Sequence, residues 1–240
     1  MARRFSANEI INRAASEIGL EPVPSTFSVD SFRQLRYLLD SAGQEMVEMF
    51  HWPVLNKTHQ ITTAALDTGD YDLPLDFAYM IEQTGWDRSN NLPLAGPLSA
   101  QNWTYVLGRD LLNTTIYASF RMRDSKFSIF PQPPPVGLDI NFEYISRNWI
   151  VSADGLLERD VLVEESDYIK FEPILMIKLL KAKYLEAKGF DSTAARREFG
   201  RVYDAAMGHS ESAPMLNAAG TRRSVYLDTY RNTPDTGYGS

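Results

Sequence analysis

Any chemistry in this chain would have to come from carboxylates. Asp67, Asp70, Asp72 and Asp76 crowd one short stretch, and Glu158, Asp160, Glu164, Glu165 and Asp167 crowd another. The first set suggests calcium. An EF-hand loop, however, needs oxygen ligands at its first, third, fifth and twelfth positions with glycine at the sixth, and this spacing does not supply them. Gly69 followed by Asp70 reads more simply as a turn into a short strand. The second set could furnish the paired acid and base of a glycoside hydrolase, but nothing in the sequence signals a substrate cleft around it, and these side chains read as exposed. His51, His59 and His209 are the three histidines, and none is spaced as a ligand pair on a helix. There is no cysteine, so thiolate catalysis, iron–sulfur ligation and classical zinc fingers are excluded. The nucleophile elbow G-x-S-x-G, the phosphate-binding P-loop and the G-x-G-x-x-G fingerprint are all missing from the sequence. The expectation is a protein without catalytic residues, metal or cofactor. A carboxylate-dependent glycoside or cell-wall hydrolase is the second reading, and a monomeric assembly or scaffolding module the third.

The formal charge of −7 argues against a general nucleic-acid binder held by phosphate contacts. Its distribution says more than the total. Residues 54–168 hold 8 basic and 16 acidic groups, whereas residues 170–201 hold 8 basic and 4 acidic ones. No stretch approaches the roughly 20 apolar residues of a membrane span, and the start, Met1 to Phe5, lacks an apolar signal core. No membrane partner is expected, and the tripeptides that begin at Asn56, Asn102 and Asn113 read as loop residues rather than glycosylation sites.

The elements follow from periodicity. Ser6 and Glu9 form a capping box ahead of Ile10, Ile11, Ala14, Ala15 and Ile18, which repeat on one helical face as far as Gly19. Pro22 and Pro24 make a turn. Phe32, Leu35, Leu39, Ala42, Met46 and Met49 then recur at spacings of three and four, a stripe to be buried in a bundle. From Thr58 the period changes to that of strands: Ile116–Met122, Lys126–Phe130 and Leu138–Tyr144, with Asp124-Ser125 as a tight turn and Pro131, Pro133, Pro134 and Pro135 as a stiff connector. The helical pattern returns after Asp167. Ile169, Ile174, Leu175, Ile177, Leu179, Leu180, Tyr184 and Leu185 leave only a narrow polar stripe, so this helix must be covered on more than one side. Lys178, Lys181, Lys183 and Lys188 read as a solvated face. Asp191 or Ser192 caps a last helix with Ala195, Phe199, Val202 and Ala206 inward.

The fold class expected is therefore α+β: an antiparallel helical bundle built from residues 1–57 and 165–208, a small antiparallel β module inserted at 58–164, and an extended C-terminal arm, 209–240. The arm is polar and rich in small residues but carries Val225, Tyr226, Leu227 and Tyr230, which suggests ordering on a partner.

The order of helix, Trp52, Leu55, strand and Gly69-Asp70-Tyr71-Asp72-Leu73-Pro74-Leu75-Asp76-Phe77 resembles the head-to-tail adaptor proteins of short-tailed bacteriophages, including the tail-tubular-protein-A group. The similarity continues through Phe127-Ser128-Ile129-Phe130-Pro131-Gln132-Pro133-Pro134, the strand Leu138–Tyr144 and the helix around Leu180-Lys181-Ala182-Lys183-Tyr184-Leu185, covering most of residues 8–208. The resemblance implies a structural virion protein of the neck, assembled in the bacterial cytoplasm. It would form a ring of twelve copies that joins the portal protein to the tail nozzle around a channel through which double-stranded DNA passes. A ring needs two unlike faces on each subunit, and the apolar helix offers Ile174, Leu175, Leu179 and Tyr184 as the expected subunit interface. Val225, Tyr226, Leu227 and Tyr230 are the expected portal anchors, since aromatic side chains concentrate binding energy at interface centres. The acidic β module is expected to face the distal tail component.

Overall fold

A computed structural model describes residues 5–108 and 118–210. In chain order its elements are α1 (Ala7–Ile18), α2 (Arg33–Met49), β1 (Asn56–Thr62), β2 (Asp70–Asp72), β3 (Phe77–Met80), β4 (Trp86–Asp87), β5 (Leu92–Pro93), α3 (Ala100–Gly108), β6 (Ser119–Arg123), β7 (Lys126–Phe130), β8 (Asp139–Ser146), β9 (Ile150–Val151), β10 (Glu158–Arg159), β11 (Tyr168–Ile169), α4 (Pro173–Ala187) and α5 (Thr193–Ser210). The mixture of helices and antiparallel sheets is the expected α+β class.

The capping box forms as read: the Ser6 hydroxyl accepts from the Glu9 N–H, and the Glu9 carboxylate accepts from the Ser6 N–H at 2.9 Å. Gly19, left-handed at φ 89°, ends α1. Polar residues of α1 outside its apolar face hold the Pro22/Pro24 connector. The Asn12 side chain donates to the Val23 carbonyl at 2.8 Å and accepts from the Val23 N–H at 2.9 Å, and Asn8 donates to Pro24 O at 3.0 Å.

In α2 the stripe is buried from Phe32 through Leu35, Leu39 and Ala42 to Met46, but Met49, in the last turn, is 40% exposed. The turn it belongs to is held by its carbonyls instead. These last acceptors have no intrahelical partner. Three aromatic donors supply one each: Trp52 Nε1 to Met46 O at 2.7 Å, Tyr79 OH to Val47 O at 3.3 Å and Tyr203 OH to Met49 O at 3.2 Å. The end of α2 thereby ties itself to β3 and to α5. Trp52→Phe, which keeps the ring and removes the buried N–H, is expected to cost about 1 kcal/mol. A shift in the urea midpoint at unchanged slope would register it.

The apolar, nearly all-round helix α4 is explained by its neighbours. It packs against α1, α2 and α5 at once, burying Leu175, Met176, Ile177, Leu179, Leu180 and Ala182. It begins at Pro173, whose missing N–H costs nothing in a first turn. Ile169, expected in this helix, instead pairs with Ile150 in the β11–β9 ladder. Of the four lysines, Lys188 is exposed as expected, but the other three are not a free solvated face. Lys178 and Lys181 lie between Glu17 of α1 and Glu198 of α5 at 2.9–3.3 Å, and Lys183 pairs with Glu45 of α2. They stitch α4 to the same three helices that cover its apolar sides. Asp191 caps α5 by accepting from the Thr193 N–H at 2.9 Å. That helix runs through Ser210, so residues 209 and 210, expected in the arm, are helical.

The largest sheet runs β1-β8-β4-β5, with β3 also on β8; the second runs β2-β7-β6, and a small third runs β10-β9-β11. β1 and β8 pair from Asn56 opposite Ile145 to Thr62 opposite Asp139. Asp124 and Ser125, both at positive φ, close the β6–β7 hairpin. The two larger sheets share a core whose spine is three stacked rings: Phe120 on Phe127 and Phe127 on Phe142, each at 4.9 Å. Helix α3 was not anticipated within its stretch of loops. Its Trp103 is buried.

The chain from Met1 to Ser210 forms one compact unit, and it holds two hydrophobic cores. Ile145, Trp149, Ile150 and Leu162 belong to the helical core, while Ile61, Phe120, Phe127, Ile129, Ile140 and Phe142 form the other. The cores divide within β8, between Tyr144 and Ile145.

Candidate functional site

Where the two cores meet, charged residues from four separate segments converge. Lys57 Nζ on β1 lies 2.6 Å from Asp76 Oδ2 and 2.5 Å from Glu158 Oε2, and Glu158 Oε1 lies 2.7 Å from Lys170 Nζ. The strand β8 supplies two hydroxyls to Asp76, Tyr144 at 3.0 Å and Ser146 at 2.8 Å. Strand pairing puts Lys57 opposite Tyr144, and Phe77 opposite Ser146. Asp76 just before β3 therefore falls over the end of the β1–β8 ladder.

Burial alone would raise the Asp76 carboxyl, but the Lys57 ammonium and the Ser146 and Tyr144 hydroxyls outweigh it and hold Asp76 below its ordinary value. Burial is likewise overridden at Glu158, which the two lysines keep below the usual range. At Lys57 burial is opposed and overcome by its two carboxylates, so its ammonium is stabilised. Lys170 goes the other way: burial pushes it down more than Glu158 restores. Burial, and then the bond to Asp76, drives the Tyr144 phenol up to about 12.

This arrangement suits a joint that ties four segments of the chain together. A glycosidase's general acid needs a raised carboxyl pKa, and Glu158 is lowered. The reading of the second carboxylate set as exposed holds for Glu158, Asp160 and Glu164 and is corrected at Asp167. Glu158 is tied to two lysines, and Asp167, fully buried, accepts from the N–H groups of Val163 and Glu164 and faces Arg159 at 3.3 Å. In the first set, Asp67 accepts from Ala64 N–H and Tyr71 OH, and Asp70 accepts from Ser128. Both shape the turn into β2. Among the described residues no group of three potential ligands is placed to hold a metal, and no helix is long and apolar enough to cross a membrane.

The expected interface residues separate. Leu175 and Leu179 lie in the chain's own core, covered by α1, α2 and α5, and a neighbouring copy could reach them only by opening that core. Tyr184 packs partly buried against the same core. Ile174, 52% exposed, alone keeps substantial apolar surface. Val225, Tyr226, Leu227 and Tyr230 lie outside the described residues. Sequence reasoning missed Lys57 and Lys170, since the partners of the joint are scattered along the chain and have no shared motif. A lysine at a buried-facing position of a strand was the one available signal.

No curated protein matches this chain. The family model described as SU10 adaptor protein matches residues 6–225. Its span takes in both cores, the charged joint between them and every helix and strand from α1 to α5. The chain belongs to the SU10 adaptor protein family, and is a structural adaptor of a bacteriophage.

Proposed function

We propose that the chain is a ring subunit of the phage neck that joins the portal protein to the tail nozzle and lines the channel through which DNA passes. The observation that carries this reading is a family match extending from the first helix through the whole compact unit and on to residue 225. Two features support it. Helices α1, α2, α4 and α5 pack on one another and are bridged by the Glu17, Glu45 and Glu198 ion pairs, which suits an element of a ring. The excess of carboxylates over residues 54–168 suits a conduit, because acidic walls do not acquire the counterion-release affinity that would grip DNA. Twelve copies, a head-to-tail closure and a tail-tubular-protein-A-like place in the neck belong to the same proposal. With Leu175 and Leu179 interior, its intersubunit contacts rest on exposed groups such as Ile174.

Val225, Tyr226, Leu227 and Tyr230 are the proposed portal anchors. Deleting residues 211–240, which leaves α5 complete, is expected to weaken portal binding by at least about tenfold, the effect of losing one or two anchoring aromatics. Pull-down on purified portal measures it, and undiminished binding would remove the arm from the portal contact. Electron microscopy of the protein mixed with its portal tests the ring: an annulus of twelve subunits is expected, and single copies scattered on the portal would overturn it.

A further inference from the structure

In each of the two larger sheets one edge strand, β3 in the first and β6 in the second, borders the same groove. On β3, Ile81 N–H donates to Glu143 of β8, so by the alternation of an antiparallel ladder the N–H and C=O of Met80 point away from β8. On β6, the pairing of Arg123 with Lys126 beside the two-residue turn directs the Met122 backbone away from β7. The chain already uses the first part of this second edge. Phe120 N–H donates to Ala95 O at 3.0 Å and its carbonyl accepts from Leu98 N–H at 2.9 Å. The line begun by Ala95–Leu98 stops there, and past Met122 the edge has no further strand paired to it among the described residues. The groove between the edges, about 260 Å³, has an apolar lining that includes Phe77, Met80, Phe120 and Met122, with Glu82 and Gln83 as its polar residues. It runs on past Phe77 and Met122 to the hairpin tip, where Arg123 and Arg147 stand.

We propose that this groove receives an extended strand from a neighbouring virion protein, apolar at alternate residues, paired along Met122 and Met80, with a carboxylate set against Arg123 and Arg147. The backbone form is dictated by the two edges, since unpaired N–H and C=O rows are completed by an added strand. The side-chain pattern is dictated by the lining, in which two flexible methionines adapt to the residues that enter. The charge is dictated by the arginines. Arg123 gives one N–H to Asp124, and Arg147 gives two to the Phe77 carbonyl, which leaves several of the five donors on each guanidinium for an acidic group. The inference rests on the adaptor reading only for where the strand comes from.

Hydrogen exchange read by mass spectrometry on the free protein and on purified phage particles decides it. In the free protein the peptides carrying Met80 and Met122 should exchange rapidly, and in the particle they should be protected by about tenfold or more, as hydrogen-bonded strands are. Protection already present in the free chain would mean that the chain covers its own edge, and rapid exchange in the particle would mean that no strand is added; either result overturns the inference. Arg123→Glu, at an exposed position, and Met122→Lys, at a half-buried position on the groove, each checked by an unchanged melting temperature, should lower incorporation into particles by about tenfold, the weight of one lost charged anchor. Wild-type incorporation of both would also overturn it. Particles that lack the protein altogether would sink the adaptor reading itself, whereas particles that hold it with the edge still exchanging would sink only the added strand.

Discussion

Gly43→Leu is expected to unfold the helical core, and Trp149→Ala to lower its stability by about 3–5 kcal/mol. The two substitutions probe one contact. Gly43 lies in the middle of α2, where glycine costs about 1 kcal/mol relative to alanine. That cost is tolerated because the indole of Trp149 lies flat against the bare backbone, and a Cβ at Gly43 would overlap its six-membered ring. Trp149 is fully buried, stacks on Phe171 and donates from Nε1 to Asp160 O at 2.9 Å. It thus fastens the chain leaving β8 to the helical body. Gly43→Ala separates two opposing effects. Helix propensity alone predicts a gain, while overpacking predicts a loss of about 1–3 kcal/mol, and the loss is expected to win. Combining Gly43→Ala with Trp149→Phe should recover part of the stability, a coupling that a double-mutant cycle in urea isolates. A stabilised Gly43→Ala would show that the indole does not press on α2.

Local signals were legible in the sequence, and long-range ones were not. The Ser6/Glu9 box, the Asp124-Ser125 turn, the Asp191 cap and the stripe from Phe32 to Met46 each reside within a few residues, and their physics is complete at that range. Met49 broke the stripe because the last turn of a helix faces whatever follows it, here a chain reversal through Trp52. Ile169 fell in a two-residue strand, too short to carry a period of its own. The apolar helix α4 was read rightly as covered on several sides, but its cover was assigned to neighbouring copies. Periodicity reports how much of a helix is buried, not by which chain, and three helices of the same chain suffice. The lysines of α4 misled for a related reason: their partners Glu17, Glu45 and Glu198 lie on three different helices. The charged joint between the cores was the least legible of all, since Lys57 and Glu158 meet across 101 residues.

Removing the carboxylate of that joint has the second large effect. Glu158→Ala leaves Lys170, only 9% exposed at its side chain, without its ion-pair partner. Breaking a buried pair on one side costs about 3–5 kcal/mol, and exposed pairs are worth at most about 1 kcal/mol. With Glu158 one-third exposed, a loss of about 2–3 kcal/mol is expected. Glu158→Ala combined with Lys170→Met should restore most of it, because the stranded charge is then gone. The same joint sets a pH window. Asp76 and Glu158 are lowered in the fold, so their contribution is present above the ordinary carboxylate range, roughly pH 4, and is lost as pH falls through the lowered values. Lys57 is raised, so its contribution is present below the ordinary lysine value, roughly pH 10, and is lost only as pH climbs past the raised one. Lys170, being lowered, opposes folding while charged, and that penalty eases on the alkaline side. Stability should therefore hold between roughly pH 5 and 9 and fall on acidification. In Glu158→Ala the acid limb should be shallower, since one of the protons taken up on unfolding is no longer there to bind. An acid limb of unchanged steepness in that variant would mean that other carboxylates govern the transition and that the joint between the cores is not where acid acts.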